Sequence, residues 1–420
     1  MPSKRGEERA VGGSKVKGGM AGVVVSRRGL DSIRHGHPWI YRSAVVQPFS
    51  PPGPSPEKAA AIVSIVDDTG QAVGCGVWDS VSPIALRVWS LDPTARLDAR
   101  MFRARLERAT AVRRRLFADG ATTAYRLLNG EGDRTPGFVI DRYADVAVLR
   151  IDGDAARAVA KDLLHDVEEP LRAIGITTLL ERTGRRGEAP EIRAMFGSAR
   201  EKVEVKEHGV PFVVDLARGQ KTGAFLDQRE NRRRIGELVA RRVRAAGGPV
   251  RVLNLFSYTG GFSLRAALAG GVVTSVDVAM AAHATAQESF RLAGVDPRAH
   301  TFATADCFAW LESAAKRGER WDVVISDPPS FAPSEKAKPK GIAAYRSLHR
   351  ACVNVLADGG TFIAASCSSH VDAEEFAATL DDAALGRSDL RLLEQFGPPA
   401  DHPTLPSFPE GRYLKLAILE

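Results

Sequence analysis

Four polar residues in the second half of the chain each follow an apolar run. Asp277 follows VVTSV, Asp306 follows TFATA, Asp327 follows WDVVIS and Cys367 follows GGTFIAAS. These runs alternate with stretches of helical periodicity, which predicts βαβ crossovers and a doubly wound parallel sheet of the α/β class. Ligands bind such sheets beyond the carboxyl ends of the strands, so the four side chains are predicted to meet at one edge.

The turn after the strand VRVLNLF has the composition of a nucleoside site. Phe256 ends that strand, and the following SYTGG contains Gly260 and Gly261, small residues that let a ligand approach the next helix N-terminus. The turn lacks the G-x-G-x-x-G pattern of a pyrophosphate site, which disfavours a dinucleotide. Asp277 has the spacing of a ribose-binding acid, and Asp306 could receive an adenine amino group. These residues predict S-adenosylmethionine (SAM) as the cofactor.

Alternatives exist for these acids. Asp277, Asp306 or Asp327 taken alone is better explained as a helix N-cap. Three acids at neighbouring strand ends are a more specific sign of a ligand site. The loop Asp327-Pro328-Pro329-Ser330-Phe331 is stiffened by two residues without N–H donors, so it could hold a carboxylate against a flat ring, with the phenyl group nearby. Without a nucleoside site nearby, this loop would be interpreted as an ordinary turn. Beside the predicted nucleoside site, the loop indicates methyl transfer onto a base.

The motifs NLFSYTGGFSL, SVDVA, SDPPSF and SCSSH, with KTGAFLDQRENR upstream, resemble those of the bacterial PUA-linked 23S rRNA cytosine-C5 methyltransferases of the RlmI type. SRRGLDSIRHGHPWIYRSAV, LLNGEGDRTPGFVIDRYADVAVLRI and DHPTLPSFPEGRYLKLAIL extend the resemblance over all but about the first twenty residues. It implies a Rossmann-like class I methyltransferase domain with a mostly parallel seven-stranded sheet, preceded by a β-rich PUA-like barrel and a central α+β domain. The predicted boundaries are a disordered basic tail over 1–20, then domains over 21–95, 96–210 and 211–420.

The length and composition of the chain are typical of a globular protein with two or three domains. The 420 residues are 44% hydrophobic and 26% charged, and the net charge of +7 weakly favours a polyanionic partner. There is no apolar run of membrane-spanning length, and the basic N-terminus lacks the apolar core of a signal peptide. The four cysteines are scattered without C-x-x-C spacing, which predicts a reducing, cytoplasmic setting and no metal site.

The resemblance gives Cys367 a role as nucleophile. Its thiolate would add to C6 of cytosine, which makes C5 able to attack the donor methyl group. Asp327 would hydrogen-bond the N3/N4 edge of the base, while the group that removes the C5 proton is not evident. A lone cysteine is more often a small buried filler, and Cys75, Cys307 and Cys352 are interpreted in that way.

Further cofactor contacts are implied by the resemblance. FLDQRENR is predicted to lie over the methionine end of the cofactor, although Asp227 is also well placed as an N-cap of the helix that follows. Within that helix, Arg232 to Arg234 are interpreted as a solvated face. Ser330 replaces a lysine found in many relatives, which puts the contacts to the target base in doubt. The predicted cofactor-binding residues are Phe225, Asp227, Gln228, Arg229, Asn254, Phe256, Tyr258, Thr259, Gly260, Asp277, Val278, Asp306 and Asp327.

Ribosomal RNA is the predicted partner. In the PUA-like domain basic residues interleave with His35, His37 and Trp39, which suits RNA contacts, although core packing explains Trp39 equally well. The exposed β-rich domain permits a homodimer without requiring one. Two other functions stay open: a guanine N-methyltransferase on the same fold, and an RNA-binding assembly factor without catalysis. The predicted substrate-binding residues are Arg27, Arg28, Arg34, Pro328, Pro329 and Phe331.

Overall fold

The computed structural model describes residues 22–48, 60–184 and 191–420, so the predicted tail over 1–20 lies outside it. Three units follow one another along this part of the chain, each built on its own sheet. None of the helices described is both long and apolar enough to cross a bilayer.

The N-terminal unit is a six-stranded mixed sheet with one short helix. Its elements are β1 (Gly22–Val25), α1 (Arg27–Arg34), β2 (Trp39–Tyr41), β3 (Val45–Gln47), β4 (Ala60–Val66), β5 (Ala72–Asp79) and β6 (Ile84–Ser90). The strand order is β2-β6-β5-β4-β1-β3, which agrees with the β-rich domain predicted here. Val25, Ile65 and Leu86 pack with Leu30 and Ile33 of α1 in one apolar cluster.

The central unit is a five-stranded sheet covered by helices. Its elements are α2 (Ala99–Leu116), β7 (Ala124–Asn129), β8 (Phe138–Tyr143), β9 (Val146–Ile151), α3 (Asp154–Leu163), α4 (Glu168–Arg172), β10 (Thr178–Thr183) and β11 (Glu191–Phe196). The strand order is β11-β10-β9-β8-β7. Phe102 of α2 and Leu163 of α3 pack on this sheet in one apolar cluster, which also contains Trp89 of β6. The first two units therefore share a core.

A hairpin links the central unit to the third. It consists of β12 (Lys202–Glu207) and β13 (Val210–Asp215). Val203 and Val214 pack with buried residues of the central sheet, whereas the Val213 N–H donates to Ser289 Oγ of the third unit at 3.0 Å. Since the hairpin contacts both units, the predicted boundary at residue 210 falls within shared structure.

The third unit is the predicted α/β domain. Its elements are α5 (Arg229–Ala246), β14 (Arg251–Leu255), α6 (Gly261–Leu268), β15 (Val272–Asp277), α7 (Met280–Leu292), β16 (Thr301–Thr304), α8 (Cys307–Lys316), β17 (Trp321–Ser326), α9 (Lys338–Asn354), β18 (Leu356–Ser366), α10 (Ala373–Ala384), β19 (Leu392–Phe396) and β20 (Lys415–Leu419). The strand order is β16-β15-β14-β17-β18-β20-β19, and only β20 runs antiparallel to its neighbours. The mostly parallel seven-stranded sheet is thus confirmed.

The strand order reverses at one point in this sheet. The chain winds outward from β14 through β15 to β16, and it resumes on the other side with β17 and β18. Loops that leave β14 and β17 therefore diverge and open a crevice at their carboxyl ends. Asp277 ends β15, while Asp327 and Cys367 directly follow β17 and β18. The topology brings these three residues to one edge, as the alternation of strands predicts.

Candidate active site

One cavity opens in this crevice between the third unit and the segment that precedes α5. Its walls come from the turn after β14, the ends of β15, β17 and β18, and residues 220–232. Most of the predicted site residues line it: Phe225, Asp227, Gln228, Phe256, Tyr258, Thr259, Asp277, Val278, Asp306, Asp327, Pro328, Pro329 and Cys367.

The turn after β14 has an unusual backbone. Phe256 and Tyr258 have φ angles of 56° and 48°, in the left-handed region that side chains other than glycine rarely adopt. Gly260 has a φ of 71°, and a Cβ atom there would lie 2.9 Å from the Ala286 methyl group. The glycine is therefore required by its conformation and by the close approach of α7.

Asp277 holds this turn in place. One carboxylate oxygen accepts the Tyr258 N–H at 2.8 Å, and the other accepts the Ala279 N–H at 2.8 Å. Asp306 instead caps α8, because it accepts the Ala309 N–H at 2.9 Å. Both acids still face the cavity, so the capping role and a role in ligand binding are compatible.

Asp227 supplies a buried anion with one free oxygen. Its Oδ2 accepts from Lys221 Nζ and from Tyr413 Oη, each at 2.6 Å. Oδ1 is buried and has no partner among the described residues. Burial alone would raise the pKa of Asp227, but the Lys221 ammonium holds that pKa far below its usual range. The alternative role as a helix cap is wrong, because no side chain caps α5.

The Asp227 arrangement fits SAM. A permanently ionised carboxylate with an unpartnered oxygen suits the ammonium group of the methionine moiety. The Phe225 ring, edge-on to Tyr258 at 5.3 Å, adds an aromatic wall. Asp277 lies in the same cavity, where it could accept ribose hydroxyls.

Asp327 differs from Asp227 because its surroundings raise its pKa instead of lowering it. Gln228 Nε2 donates to its Oδ2 at 3.0 Å, and no basic group of the described residues forms an ion pair with it. Burial and the Asp227 carboxylate raise the pKa of Asp327 to about 7. It is therefore partly protonated near neutral pH, and it can donate as well as accept a hydrogen bond.

Cys367 differs from the other three cysteines in being accessible. It is partly exposed and lines the cavity, whereas Cys75, Cys307 and Cys352 are buried. Cys307 also contributes to the cavity wall, but its Sγ accepts the Phe256 N–H at 3.3 Å. Burial and the Asp327 carboxylate raise the pKa of the Cys367 thiol to about 11. Forming a thiolate here therefore requires help from the site.

The serines beside Cys367 bind its loop to the Asp327 loop. Ser366 and Ser368 are fully buried. The Ser368 hydroxyl is 2.9 Å from Tyr345 Oη and 3.0 Å from Ser330 Oγ, and Ser366 Oγ donates to Tyr345 at 2.9 Å. This network fixes the sulfur relative to the Asp-Pro-Pro segment.

Four predicted contacts do not reach the cavity. Arg229 is buried, and it forms a two-pronged ion pair with Asp401 at 2.8 and 2.9 Å. The Asn254 amide donates to Ser263 Oγ at 2.8 Å. Phe331 packs on Tyr345 with ring centroids 4.9 Å apart, and Gly260 packs against Ala286 of α7. These residues support the site without facing it.

The predicted RNA contacts of the N-terminal unit lie on α1. Arg27, Arg28 and Arg34 are exposed there, away from the cavity walls. Trp39 packs edge-on to Phe408 at 4.6 Å, as the packing alternative expects, and it stays partly exposed.

Sequence reasoning missed four side chains that shape the cavity or its wall. Arg232 was interpreted as part of a solvated face, which is wrong: it is buried, and its Nε donates to Glu207 at 2.9 Å. Lys221, Tyr413 and Glu207 come from separate segments that only the fold brings together. Lys221 carried a signal, since it is the first residue of the quoted motif KTGAFLDQRENR.

Known proteins match the chain along its length. A family model described as S-adenosylmethionine-dependent methyltransferase matches residues 171–411. A second family model, described as a PUA-like domain, matches residues 23–91. A ribosomal RNA large subunit methyltransferase of Deinococcus radiodurans is 36% identical over 408 residues, which cover 94% of this chain and 96% of that protein. A ribosomal RNA large subunit methyltransferase I of Shewanella denitrificans is 32% identical over 389 residues, or 91% and 95% of the two chains.

A solved structure shares the fold. It belongs to a protein assigned as a methyltransferase and solved in complex with SAH, S-adenosylhomocysteine. Its TM-score is 0.80 at 23% identity, over 96% of this chain and all of the other.

Proposed function

This chain belongs to the family of SAM-dependent ribosomal RNA large subunit methyltransferases with a PUA-like domain, and we propose that it methylates C5 of a cytosine in 23S rRNA through a covalent adduct of Cys367. One observation carries the proposal. The accessible cysteine lines the same cavity as Asp327 and as Asp227, whose Oδ1 has no partner among the described residues. A thiol nucleophile, a base-binding acid and a donor site thus share one space.

The proposed reaction consists of thiolate addition to the base, methyl transfer and elimination of the thiolate. The Cys367 thiol loses its proton to solvent, and the Sγ–C6 bond forms as the 5,6 π bond of the cytosine breaks. The electron pair of that π bond makes C5 enamine-like and nucleophilic. SAM supplies the methyl group, which C5 takes as the donor's carbon–sulfur bond breaks. The proton on C5 then leaves, the Sγ–C6 bond breaks, and the thiolate returns. No residue is assigned to the removal of the C5 proton.

Asp327 orients the base in this proposal. Its pKa of about 7 lets the carboxyl group donate to cytosine N3, and it can accept from the exocyclic N4 amino group. A hydrogen bond at N3 draws electrons from the ring and makes C6 more electrophilic. Pro328 and Pro329 stiffen the backbone that carries the acid. A cytosine in a duplex must leave the stack first, which costs a few kcal/mol.

Trapping with 5-fluorocytosine tests the proposal. Fluorine at C5 cannot leave as a cation, so methyl transfer should leave the protein linked to RNA. We expect wild-type protein, SAM and a 23S rRNA transcript containing 5-fluorocytidine to give a band that resists denaturation. Cys367→Ala should abolish it, while Cys75→Ala, a change in the N-terminal core, should not.

The other outcomes are informative. Absence of an adduct with wild-type protein that still methylates unmodified transcript would exclude the covalent route. Methylation that survives in Cys367→Ala, with the product on a guanine nitrogen, would support the guanine N-methyltransferase alternative. Absence of SAM binding in calorimetry would support the non-catalytic alternative.

A further inference from the structure

A short turn before α5 holds Lys221 in an uncommon backbone conformation. Lys221 has a φ of 52°, in the left-handed region that favours glycine. Both of its neighbours are anchored: the Gln220 N–H donates to Tyr258 Oη at 2.7 Å, and Thr222 Oγ1 donates to Asp141 of the central unit at 2.5 Å. Lys221 itself lies in the wall of the cavity. Backbone strain of this kind persists only where the surrounding structure fixes it, and it is concentrated at functional sites.

The Lys221 ammonium has unused hydrogen-bond donors in the cavity. Its Nζ donates to Asp227 Oδ2 at 2.6 Å and lies 4.4 Å from the centroid of the Phe225 ring. An ammonium has three N–H donors, and no second acceptor among the described residues takes a hydrogen bond from this one. The side chain is 32% exposed, so the remaining donors are accessible to a ligand.

The hydrogen bonds of the site connect Lys221 to the residues proposed to bind and attack the base. Asp227, the partner of Lys221, precedes Gln228, whose Nε2 donates to Asp327 at 3.0 Å. Consecutive Cα atoms are about 3.8 Å apart, so two adjacent residues hold the ammonium and the Asp327 carboxyl group. Cys367 lines the same cavity as both of these groups. A base bound by Asp327 therefore shares one space with a cation and a thiol.

Addition of a thiolate to cytosine places negative charge on the ring. As the 5,6 π bond breaks, conjugation carries this charge to N3 and, through C2, to the carbonyl oxygen O2. Asp327 is proposed to bind N3 and the N4 amino group, which leaves O2 without a partner. A charged donor fixed where charge develops lowers the barrier to reaction. Lys221 has donors for this purpose, whereas the other cations of the cavity wall, Arg232 and Arg265, are both bound to Glu207.

We propose that Lys221 is a catalytic residue: its ammonium donates to O2 of the target cytosine and stabilises the negative charge that forms when Cys367 adds to C6. This inference rests on the proposed function, since it requires a cytosine and a covalent step. Lys221 keeps its proton throughout and forms no covalent bond. When the Sγ–C6 bond breaks, its electron pair returns to sulfur and the ring is neutral again.

Replacing O2 by sulfur tests the contact from the side of the substrate. Sulfur is a weaker hydrogen-bond acceptor than oxygen. A 23S rRNA transcript that contains both cytidine and 2-thiocytidine offers the enzyme the two bases in one reaction. Mass spectrometry of the digested RNA then gives the ratio of 5-methylcytidine to 5-methyl-2-thiocytidine. Because the same protein and the same SAM form both products, this ratio is independent of folding yield and of SAM affinity.

We expect wild-type protein to prefer cytidine, and Lys221→Met to lose roughly tenfold of that preference, the factor that one hydrogen bond to a charged group contributes. Any intrinsic difference in reactivity between the two bases is the same for both proteins. Lys221→Arg, which keeps a charged donor, should retain part of the preference. Lys161→Met, on the exposed face of α3, is the matched control and should give the wild-type ratio. An equal ratio in wild type and Lys221→Met would overturn the inference.

Other outcomes separate this inference from the proposed function. If wild-type protein forms no 5-methylcytidine, the proposed function fails and the inference fails with it. If 5-methylcytidine forms but the ratio is the same in both proteins, only the inference fails. Loss of SAM affinity in calorimetry, together with an unchanged ratio, would assign Lys221 to the SAM site instead.

A second variant applies if Lys221→Met makes too little product to quantify. Lys221→Gln keeps a hydrogen-bond donor for Asp227 but lacks the charge. It should shift the product ratio in the same direction as Lys221→Met, by a smaller factor. A wild-type ratio in Lys221→Gln would contradict the role of the ammonium at O2.

Discussion

At the scale of single residues, the cavity separates two carboxyl groups by their surroundings. Asp227 has an ammonium and a phenol on one oxygen and stays ionised. Asp327 is buried beside the Asp227 carboxylate, and both effects raise its pKa toward neutrality, although the Gln228 amide that donates to it acts in the opposite direction. These different pKa values suit the two acids to different tasks. Asp227 is suited to bind a cation, and Asp327 is suited to hydrogen-bond a nucleic-acid base.

The free oxygen of Asp227 predicts a loss of SAM affinity in Asp227→Asn. A hydrogen bond to a charged group contributes about 1.5–3 kcal/mol, so affinity should fall roughly 10- to 100-fold. Calorimetric titration with SAM measures this directly. Asp162→Asn, an exposed change on α3, should bind as wild type does. Equal affinity in Asp227→Asn would remove this oxygen from the donor site.

Asp327 predicts a pH-dependent gain in stability for Asp327→Asn. Its pKa is about 7 in the folded protein, against an ordinary value of 3.8. The folded state thus favours the protonated acid, and this contribution is complete below about pH 4 and is lost as pH rises through 7. The amide variant escapes that loss. Its advantage should be larger at pH 8 than at pH 5 by on the order of 2 kcal/mol.

Thermal unfolding at the two pH values checks this prediction. For a domain of this size, about 2 kcal/mol corresponds to roughly 4–8 °C in Tm. Asp358→Asn, an exposed substitution, should show no comparable dependence on pH. An equal shift at both pH values would mean that Asp327 is ionised in the folded protein throughout this range. Methyl transfer should be lost although the variant is more stable.

At the scale of elements, the site depends on two loops held in register. The loop after β17 carries Asp327, and the loop after β18 carries Cys367. Ser368 joins these two loops. Its hydroxyl lies within hydrogen-bonding distance of Tyr345 Oη in α9 and of Ser330 Oγ, and it accepts the Ala332 N–H at 3.3 Å. Ser330 therefore takes part in this join.

Ser368→Ala should therefore disturb catalysis more than SAM binding. Loss of a buried hydroxyl leaves its partners unsatisfied and costs about 1–3 kcal/mol of stability. Single-turnover methyl transfer should slow, since the sulfur is no longer fixed beside Asp327, while SAM affinity changes little. Ser369→Ala is the matched control because that neighbour is exposed. Equal effects of the two substitutions would contradict the role of the join.

Local pattern predicted the elements and the edge at which residues meet. Strand alternation placed Asp277, Asp327 and Cys367 together, and the family prediction is confirmed, whereas methylation at cytosine C5 stays a prediction. Tertiary pairs were not predictable in this way. Nothing near Arg229 in sequence shows that Asp401, on a distant segment, binds it. The hydrogen bond from Lys415 Nζ to the Ser368 carbonyl oxygen likewise depends on the antiparallel position of the last strand.

At the scale of the whole molecule, the segment over 397–414 connects all three units. Phe408 packs on Trp39 of the N-terminal unit. Asp401 binds Arg229 and accepts the Arg126 N–H of the central unit at 2.9 Å. Tyr413, near the end of the segment, donates to Asp227 in the cavity. One segment therefore contacts both the PUA-like domain and a residue of the cavity.

Phe408→Ala tests this connection. The ring is 6% exposed, and truncating a buried phenylalanine costs about 3–5 kcal/mol. Local opening of the segment should become easier by a comparable amount, so its amide hydrogens should exchange roughly a hundredfold faster or more. Exchange in β18, inside the third sheet, should not change. Hydrogen exchange with mass spectrometry resolves both regions.

The consequence at the cavity distinguishes a connecting segment from a passive surface loop. If opening reaches Tyr413, Asp227 loses a hydrogen bond, and SAM affinity should fall by several-fold, since one such bond contributes about 1 kcal/mol or more. Leu385→Ala, at a side chain 77% exposed, should alter neither exchange nor affinity. Faster exchange confined to residues around 408, with SAM affinity intact, would show that the N-terminal unit and the donor site are held independently. A joint change would mean that contacts on the PUA-like domain can influence how firmly the donor is held.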